Sequence, residues 1–517
     1  MISNSEKEGF NLMDRTRTNT TWTVAGLLLG LFMAALDQTI VSTAMPTIVG
    51  EFGGYEQLVW VFSAYMIASV VTTPIFGKLS DMYGRKPFFL LGLGIFLLGS
   101  ILCGMANGMT ELILFRALQG IGGGAIMPLC FAVIFDIFPI EKRGKMNGLF
   151  GAVFGLSSVF GPLAGAFFTD YVDWRWVFYI NVPFGIIAVL LIILFYKEAG
   201  EKKKQVIDWG GAVLLTATIL SLMFALELGG KTYAWDSVQI LGLFAAFVVL
   251  LIVFLIVEGK VANPIIPLHL FKNKVFTASQ VCSFLYGAIL ISGATYIPIF
   301  VQGVYGGSAS SAGQTLTPMM LGVVASSAIG GRFVTKFVFR NIMLVSAAIL
   351  IISLFMLGTI DADTHRWIVT LYMIFVGLGI GVSFVIFNIA TLHGISPQYK
   401  GAATSLVVFF RTIGSALGVT IFGVIQTTRL KDNIAAVLPD PAQAEKFGDP
   451  QALLNPAVRQ MFPAEILQRM IAGLADSIAF LFEWSVALPV VAVIFILMLG
   501  RARVPKGAQT EAPRSFE

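Results

Sequence analysis

The sequence predicts an all-α polytopic membrane protein, and three features carry this prediction. Hydrophobic residues make up 57% of the 517 residues and charged residues only 12%, whereas a soluble domain has about 25% charged residues. Apolar runs of about 20 residues, the length of a helix that crosses a bilayer, recur along the chain. These runs are longer than the alternating segments of a membrane β-barrel strand, so we predict helices.

Fourteen apolar runs are predicted as transmembrane helices, called spans 1 to 14. The first run is of full length and follows a polar segment, so it is predicted to remain as an uncleaved helix rather than to act as a signal peptide. The spans cover residues 22–44, 58–77, 88–106, 111–134, 145–168, 177–196, 209–228, 239–257, 275–300, 312–335, 342–360, 367–391, 402–427 and 480–500.

Charge placement predicts how these spans are oriented. An even number of spans puts both termini on one side of the membrane. If that side is the cytoplasm, Lys and Arg in the inside segments outnumber those outside by about three to one, as the positive-inside rule expects. The basic residues then serve to orient the spans next to anionic lipid, so the net charge of +5 does not indicate a nucleic-acid partner. We therefore predict a protein of the cell membrane with both termini cytoplasmic.

Several classes of chemistry have no signal in the sequence. The three cysteines, Cys103, Cys130 and Cys282, lie inside apolar runs and are predicted to be core residues rather than disulfide or metal ligands. The chain has no Walker loop for ATP hydrolysis and no serine elbow, and its three histidines lack the spacing of a zinc site. We expect neither an enzyme nor a cofactor.

The loop after span 2, at 77–87, carries the most specific motif in the chain. Gly77 and Gly84 allow a tight turn between two helices. Asp81 can accept hydrogen bonds from a helix N-terminus or pair with a cation. Arg85 and Lys86 complete the pattern at the predicted cytoplasmic face. A loop that only set topology would need the positive charges alone, so we interpret these five residues as a cytoplasmic gate.

This loop resembles the signature loop of the major facilitator superfamily. Span 4, at 116–124, resembles the buried-arginine motif of that superfamily. Segments 36–41 and 174–183 are similar to its fourteen-helix drug:proton antiporter branch, and the nearest likeness is to multidrug exporters of Gram-positive bacilli. Span 5 resembles the antiporter motif, with one departure at Ala166, in its residues Gly151, Gly155, Gly161, Pro162 and Gly165.

The resemblance implies two six-helix bundles with two inserted helices between them, working by alternating access as a monomer. It divides the chain into a cytoplasmic tail (1–21), an N-terminal bundle (22–200), inserted helices 7 and 8 (201–260), a C-terminal bundle (261–500) and a second tail (501–517). An outer loop at 428–479 is predicted within the second bundle. It is either a solvated loop with one short helix or an interfacial amphipathic helix or hairpin.

Charged residues inside spans are functional candidates, since each costs about 2.5–3.5 kcal/mol or more to bury in a bilayer. Asp37 in span 1 and Arg116 in span 4 are predicted at similar depth on two helices that line the central cavity in this fold. One interpretation makes Asp37 the proton carrier and drug anchor, with Arg116 tuning its proton. The alternative is a static ion pair that joins the two helices.

Other residues are weaker candidates. A substrate pocket could be lined by Trp60, Tyr65, Phe154, Tyr296 and Arg411, the aromatic members through cation–π contact. For each aromatic residue the alternative is a lipid-facing or interfacial anchor, and for Arg411 it is structural hydrogen bonding.

Two further acidic residues are expected to have structural rather than transport roles. Asp136, close in sequence to Lys142 and Arg143, is expected to form a gate or loop ion pair. Glu483 is expected at the outer start of span 14.

The resemblance implies a proton-driven efflux antiporter for amphiphilic drugs, dyes or biocides. Residues 315–330 contain no acidic side chain, which favours monovalent lipophilic cations or neutral amphiphiles over dications. The first alternatives are a monovalent cation/proton antiporter or a metabolite exporter. A nutrient symporter and a membrane enzyme or sensor are two other classes. Expected partners are small-molecule substrates, protons and the lipid bilayer.

Overall fold

The computed structural model describes residues 18–53, 57–138, 140–198, 207–230, 232–307, 309–438 and 462–503. Two short 3-10 helices, Leu268–Lys272 and Pro397–Tyr399, occur between the α-helices of these residues. The α-helices are α1 (Thr20–Phe52), α2 (Leu58–Tyr83), α3 (Arg85–Met105), α4 (Met109–Ile137), α5 (Ile140–Tyr171), α6 (Trp176–Tyr179), α7 (Asn181–Phe195), α8 (Trp209–Leu228), α9 (Val238–Glu258), α10 (Lys274–Gly303), α11 (Ala309–Phe333), α12 (Phe339–Leu357), α13 (Arg366–Ala390), α14 (Lys400–Val437), α15 (Ala464–Ser485) and α16 (Ala487–Met498).

The fold is all-helical in the described residues, and its helices have the length and composition of membrane spans. Of the described residues, twelve helical segments are apolar and long enough to cross a bilayer. The prediction was fourteen, and α5 and α11 are the two predicted spans outside this set. Both are rich in Gly, Ser and Thr. Small residues of this kind are typical of helix interfaces inside membrane proteins.

The helices form two groups. In the first, α1 packs against α5 and α7, while α4 packs against α2 and α3. In the second, α10 packs against α14, and α13 packs against α11 and α12. The two groups meet where α5 lies against α11 and α2 lies against α14.

Helices α8 and α9 pack mainly against each other, and α8 also touches α2 and α14. Helix α9 is at the periphery, since only 11% of its most apolar stretch is buried within the protein. Its exposed valines, leucines and isoleucines have the chemistry of a lipid-facing surface.

Helix α14 extends further than predicted. Span 13 was expected to end at residue 427, with a loop at 428–479, but α14 continues to Val437 and α15 already begins at Ala464. At 1.5 Å per residue, the 38 residues of α14 span about 57 Å, well beyond the roughly 30 Å of a hydrocarbon core. The remainder of the predicted loop, 439–461, lies outside the described residues.

Polar pairing explains why both helices continue through this polar sequence. Arg429 on α14 pairs with Asp476 on α15 at 2.8 Å, and Gln426 donates to Ser477 at 3.0 Å. The structure thus has a helix on each side of 439–461. Glu483, expected at the outer start of span 14, instead lies near the end of α15, before the break that separates it from α16.

Candidate functional site

Asp37 and Arg116 form a buried ion pair between α1 and α4. The Asp37 Oδ2 atom lies 2.5 Å from Arg116 Nη1, and the side chains are 0% and 1% exposed. The sequence predicted these residues at similar depth, and the structure brings them into direct contact. An ion pair this deep must have its remaining donors and acceptors satisfied, because a buried unpaired charge costs several kcal/mol.

Two amide side chains complete the coordination of Asp37. Gln119, one turn after Arg116 on α4, donates to Asp37 Oδ1 at 2.8 Å. Asn181, the first residue of α7, donates to the same oxygen at 3.0 Å and to Ser100 Oγ at 3.0 Å. Ser100 in turn donates to the carbonyl of Phe178 at 2.8 Å. The network therefore joins α1, α3, α4 and the break between α6 and α7.

Arg116 is also fixed to α2. Its Nε atom donates to the Val61 carbonyl at 3.2 Å, and Nη1 donates to Gln119 Oε1 at 2.6 Å. Its guanidinium lies 4.4 Å from the centre of the Tyr65 ring, within the range of a cation–π contact. Arg116 is thus held from three directions.

This network depends on the charge of Asp37. Asp37 accepts three hydrogen bonds, one of them from a cation. Loss of its charge would break the ion pair and leave Arg116 as an uncompensated buried cation. The four elements that the network joins would then have to rearrange. Because Asp37 is fully buried in this conformation, a substrate cannot touch it without such a rearrangement.

A second polar cluster lies at 77–87, where the two helix groups meet. This segment was predicted as a loop, but it is helical except at Gly84, which separates α2 from α3. Asp81, near the end of α2, accepts backbone N–H groups at the start of α14: that of Gly401 at 2.9 Å and that of Ala402 at 2.6 Å. A carboxylate at a helix N-terminus neutralises free N–H groups and the positive end of the helix dipole. Asp81 therefore links one helix group to the other.

Arg85 holds this acid in place. It pairs with Asp81 at 2.6 Å and with Asp136, at the end of α4, at 3.1 Å. The expected ion pair of Asp136 is present, with Arg85 as its partner in the described chain. Lys86 donates to the carbonyls of Ile193 at 2.9 Å and Tyr196 at 2.6 Å. Lys86 thus anchors α3 to the end of α7.

Two positions of this segment, Gly77 and Gly84, require glycine for different structural reasons. At Gly77, a Cβ atom would collide with the side chain of Ser405 on α14, so glycine permits the close approach of α2 and α14. Gly84, between α2 and α3, has φ +109°, a backbone conformation that other residues rarely adopt.

Three of the predicted pocket residues make contacts within the protein. Tyr65 contacts Arg116, Trp60 packs against Phe224 of α8 with ring centres 5.6 Å apart, and Tyr296 donates to the Val419 carbonyl at 3.0 Å. These three side chains are thus used within the protein. The side chain of Phe154 lies outside what the structure describes.

Arg411 is different, because it is buried at the junction of the helix groups without a carboxylate partner in the described chain. Its side chain lies over the Phe384 ring at 4.3 Å, and Nη2 lies 3.8 Å from the sulfur of Met127 on α4. The residue is 9% exposed. A guanidinium has five N–H donors, so this site can take a hydrogen-bond acceptor or an anionic group.

The glycines of span 5 lie where α5 meets α1. A Cβ at Gly161 would collide with Thr39, and one at Gly165 with Thr43. Pro162 lies between them within α5. These contacts explain the small residues by close packing. The other two residues of the predicted motif, Gly151 and Gly155, lie in α5, but their immediate surroundings are outside what the structure describes.

Gln119, Asn181 and Ser100 were not singled out as site residues. Gln119 and Asn181 stood within the recognised motifs, and all three are polar residues in apolar helices, which is the signal that could have selected them. The sequence did not indicate the side of each helix on which these residues lie.

Comparison with protein families and relatives gives a consistent result. The family model of the Major Facilitator Superfamily matches residues 27–419. Multidrug resistance protein 3 of Bacillus subtilis (strain 168) is 49% identical over 506 residues, which cover 96% of this chain and 99% of the relative. The multidrug transporter protein MdtP of the same organism is 39% identical, and the match covers 93% of each chain.

Solved structures agree at the level of the fold. The human organic anion transporter MFSD10 has a TM-score of 0.62 at 13% identity, covering 93% of this chain and 100% of that one. A bacterial homolog of the human lysosomal transporter Spinster, in an inward-facing and unoccupied conformation, has a TM-score of 0.57 at 15% identity. That match covers 93% of this chain and 96% of the other.

Proposed function

The chain belongs to the major facilitator superfamily, and from that premise we propose that it is a proton-gradient-driven efflux antiporter for amphiphilic drugs, dyes or biocides. Its relatives are named as multidrug resistance and multidrug transporter proteins, which supports a membrane transporter that exports drugs. The observation that carries proton coupling is the buried Asp37–Arg116 pair with its two amide donors.

The proposed cycle uses Asp37 as the proton carrier. In the conformation described, the carboxylate is ionised and paired, and Asp81 closes the 77–87 end of the molecule. A proton entering from the other end neutralises Asp37 and releases Arg116. The first helix group then rearranges, and Asp81 leaves the start of α14. Because Asp37 is fully buried, we propose that drug and proton are coupled through this rearrangement rather than by direct competition for one carboxylate.

We propose fourteen spans, with both termini and the 77–87 loop in the cytoplasm. Helices α5 and α11 are 32 and 25 residues long, enough to cross a bilayer. Asp136, before α5, pairs with Arg85 at the gate, whereas Arg175, after α5, pairs with Glu51 in the last turn of α1. Helix α5 therefore runs from one end of the molecule to the other.

The same criterion supports α11 as a span. Arg366, at the start of α13, donates to the Ser311 carbonyl near the start of α11. The two helices thus begin at one end, as they must if α11 and α12 both cross. The two six-helix bundles are then 22–200 and 261–500, with α8 and α9 inserted between them in 201–260.

Lipophilic monovalent cations are the favoured substrates, because 315–330 has no acidic side chain for a second positive charge. Arg411 supports a second candidate, a metabolite exporter of the same superfamily. An unpaired buried guanidinium between the bundles suits a substrate that carries a carboxylate or another strong acceptor.

Vesicles with purified protein would test the function. We expect an imposed proton gradient to drive movement of an ethidium-like dye, and collapse of the gradient to stop it. Empty vesicles and vesicles with Asp37→Asn protein at equal density are the controls. If no dye moves but Na⁺ or K⁺ changes the internal pH, the cation/proton alternative replaces this proposal. If only anionic substrates move, the exporter alternative does.

A further inference from the structure

A pair of carboxyl groups lies outside the transport machinery described above, at the gate end of the inserted helices. Asp208 caps the start of α8, where its Oδ1 accepts the Gly211 N–H at 2.8 Å. Glu258 is the last residue of α9, and its Oε1 accepts the Ile266 N–H at 2.5 Å. One oxygen of each side chain is therefore occupied by a backbone donor.

The other two oxygens lack a donor. Asp208 Oδ2 and Glu258 Oε2 are both buried, and neither has a hydrogen-bond partner in the described chain. Both lie within 2.6 Å of the position that a Cβ at Gly211 would take, so the two oxygens are close neighbours and glycine leaves room for both. Two ionised carboxylates have only acceptors, whereas one proton between them supplies the missing donor to both.

Burial strengthens this requirement. Glu258 is 2% exposed, and two like charges in contact cannot both stay ionised at low cost. Of the helices packed against α8, α9 supplies Glu258 and α2 supplies Lys78, with Asp81 on the same helix. Lys78 is 5% exposed and lines the same cleft as Asp208.

We propose that Asp208 and Glu258 form a proton-binding site, a carboxyl pair that shares one proton and fastens α8 and α9 together at the gate end. Lys78 balances the single negative charge that remains. When the proton leaves, the two carboxylates repel each other and attract Lys78, whose charge also acts on Asp81. The site thus makes the attachment of the inserted helices depend on the pH at the gate end.

Infrared difference spectra of the full-length protein in lipid nanodiscs would detect the proton. We expect a carboxylic C=O band that persists at neutral pH and is lost on alkaline titration. Glu258→Gln should abolish the band while keeping the fold, because the glutamine amide can donate to Asp208 as the shared proton does. Asp208→Asn should do the same, with its amide donating to Glu258. Asp236→Asn, at the opposite end of the same helices, is the matched control and should keep the band.

Thermal unfolding gives a second readout. The folded pair holds a proton that unfolded carboxyls have already released, so the melting temperature should fall as the pH rises through neutral. This pH dependence should flatten in both amide variants and remain in Asp236→Asn. A carboxylic band that survives in both amide variants would overturn the proposal. A melting temperature that follows Na⁺ or K⁺ at fixed pH, and not pH, would also overturn it, because the site would then hold a cation.

Discussion

The carboxylate of Asp37 and the guanidinium of Arg116 lie 2.5 Å apart in the interior of the N-terminal bundle, where neither reaches solvent. The two charges neutralise each other. Arg116 also donates to the amide oxygen of Gln119, and the amide nitrogen of Gln119 donates to Asp37. A change in the charge of either residue must therefore disturb α1, α4 and the helices packed on them.

Arg116→Met should destabilise the protein by about 3–5 kcal/mol while Asp37 stays charged, because it leaves a buried carboxylate without its cation. Asp37→Asn in the same background should recover part of that loss. Thermal unfolding of the two single variants and the double variant forms the cycle that measures the coupling. Additive effects would contradict a direct pair in the folded protein.

Asn181→Leu should slow proton-driven dye efflux, because the variant removes one of the two amide donors that hold Asp37 in the network. The initial rate of dye efflux from vesicles at equal protein density measures this. Ser100→Ala is the matched control, since Ser100 contacts Asn181 but not Asp37, and it should slow efflux less. Equal losses in the two variants would assign the effect to packing instead.

Asp81→Asn should loosen the gate. It removes a negative charge that accepts two backbone N–H groups, and such hydrogen bonds contribute about 1.5–3 kcal/mol each. The native cysteines are buried, so Ser405→Cys can report opening through its rate of thiol labelling. Ser405 packs against Gly77 in the closed gate. We expect labelling at least about tenfold faster, which corresponds to about 1.4 kcal/mol.

Asp136→Asn is the control for that experiment, because Asp136 touches Arg85 but not α14. Its effect on labelling should be smaller. An unchanged labelling rate in Asp81→Asn would show that the gate is closed by other contacts.

Glu51 provides a pH-dependent contact at the opposite end. It lies beyond the apolar part of α1, accepts the Trp174 indole N–H at 2.6 Å and pairs with Arg175 at 2.9 Å. These two contacts lower the pKa of Glu51. The stabilisation is therefore present above the pKa of the unfolded chain and is lost as the pH falls through the folded value. Trp174 fluorescence should change in that acid range, and Glu51→Gln should remove the transition. A transition that survives in Glu51→Gln would belong to another group.

The fold and the Asp37–Arg116 pair could be predicted because both depend on the position of residues along the chain. Apolar run length gave the spans, and depth within spans 1 and 4 placed Asp37 level with Arg116. The direction in which a side chain points from its helix toward the neighbouring helices does not follow from position along the chain. For that reason Gln119 and Asn181 were missed as ligands of Asp37, and the contact of Tyr65 with Arg116 was not predicted.

The end of α14 differed from prediction for a related reason. Local hydropathy falls after residue 427, which suggested a loop. In the structure Arg429 and Asn433 face Asp476 on α15, so their polar groups are satisfied by a neighbouring helix. Only the tertiary contact shows that the helix continues.

The most direct test of the central claim is substrate-driven proton release from the purified protein in weakly buffered detergent solution. A pH indicator is followed while an ethidium-like cation is added to the wild type and to Asp37→Asn, with dye fluorescence reporting binding in both. The account predicts that the wild type, at a pH low enough to populate the protonated open form, releases protons on binding and that Asp37→Asn binds dye without releasing any. Equal proton release from both proteins would contradict it, because the exchanged proton would then reside on another group.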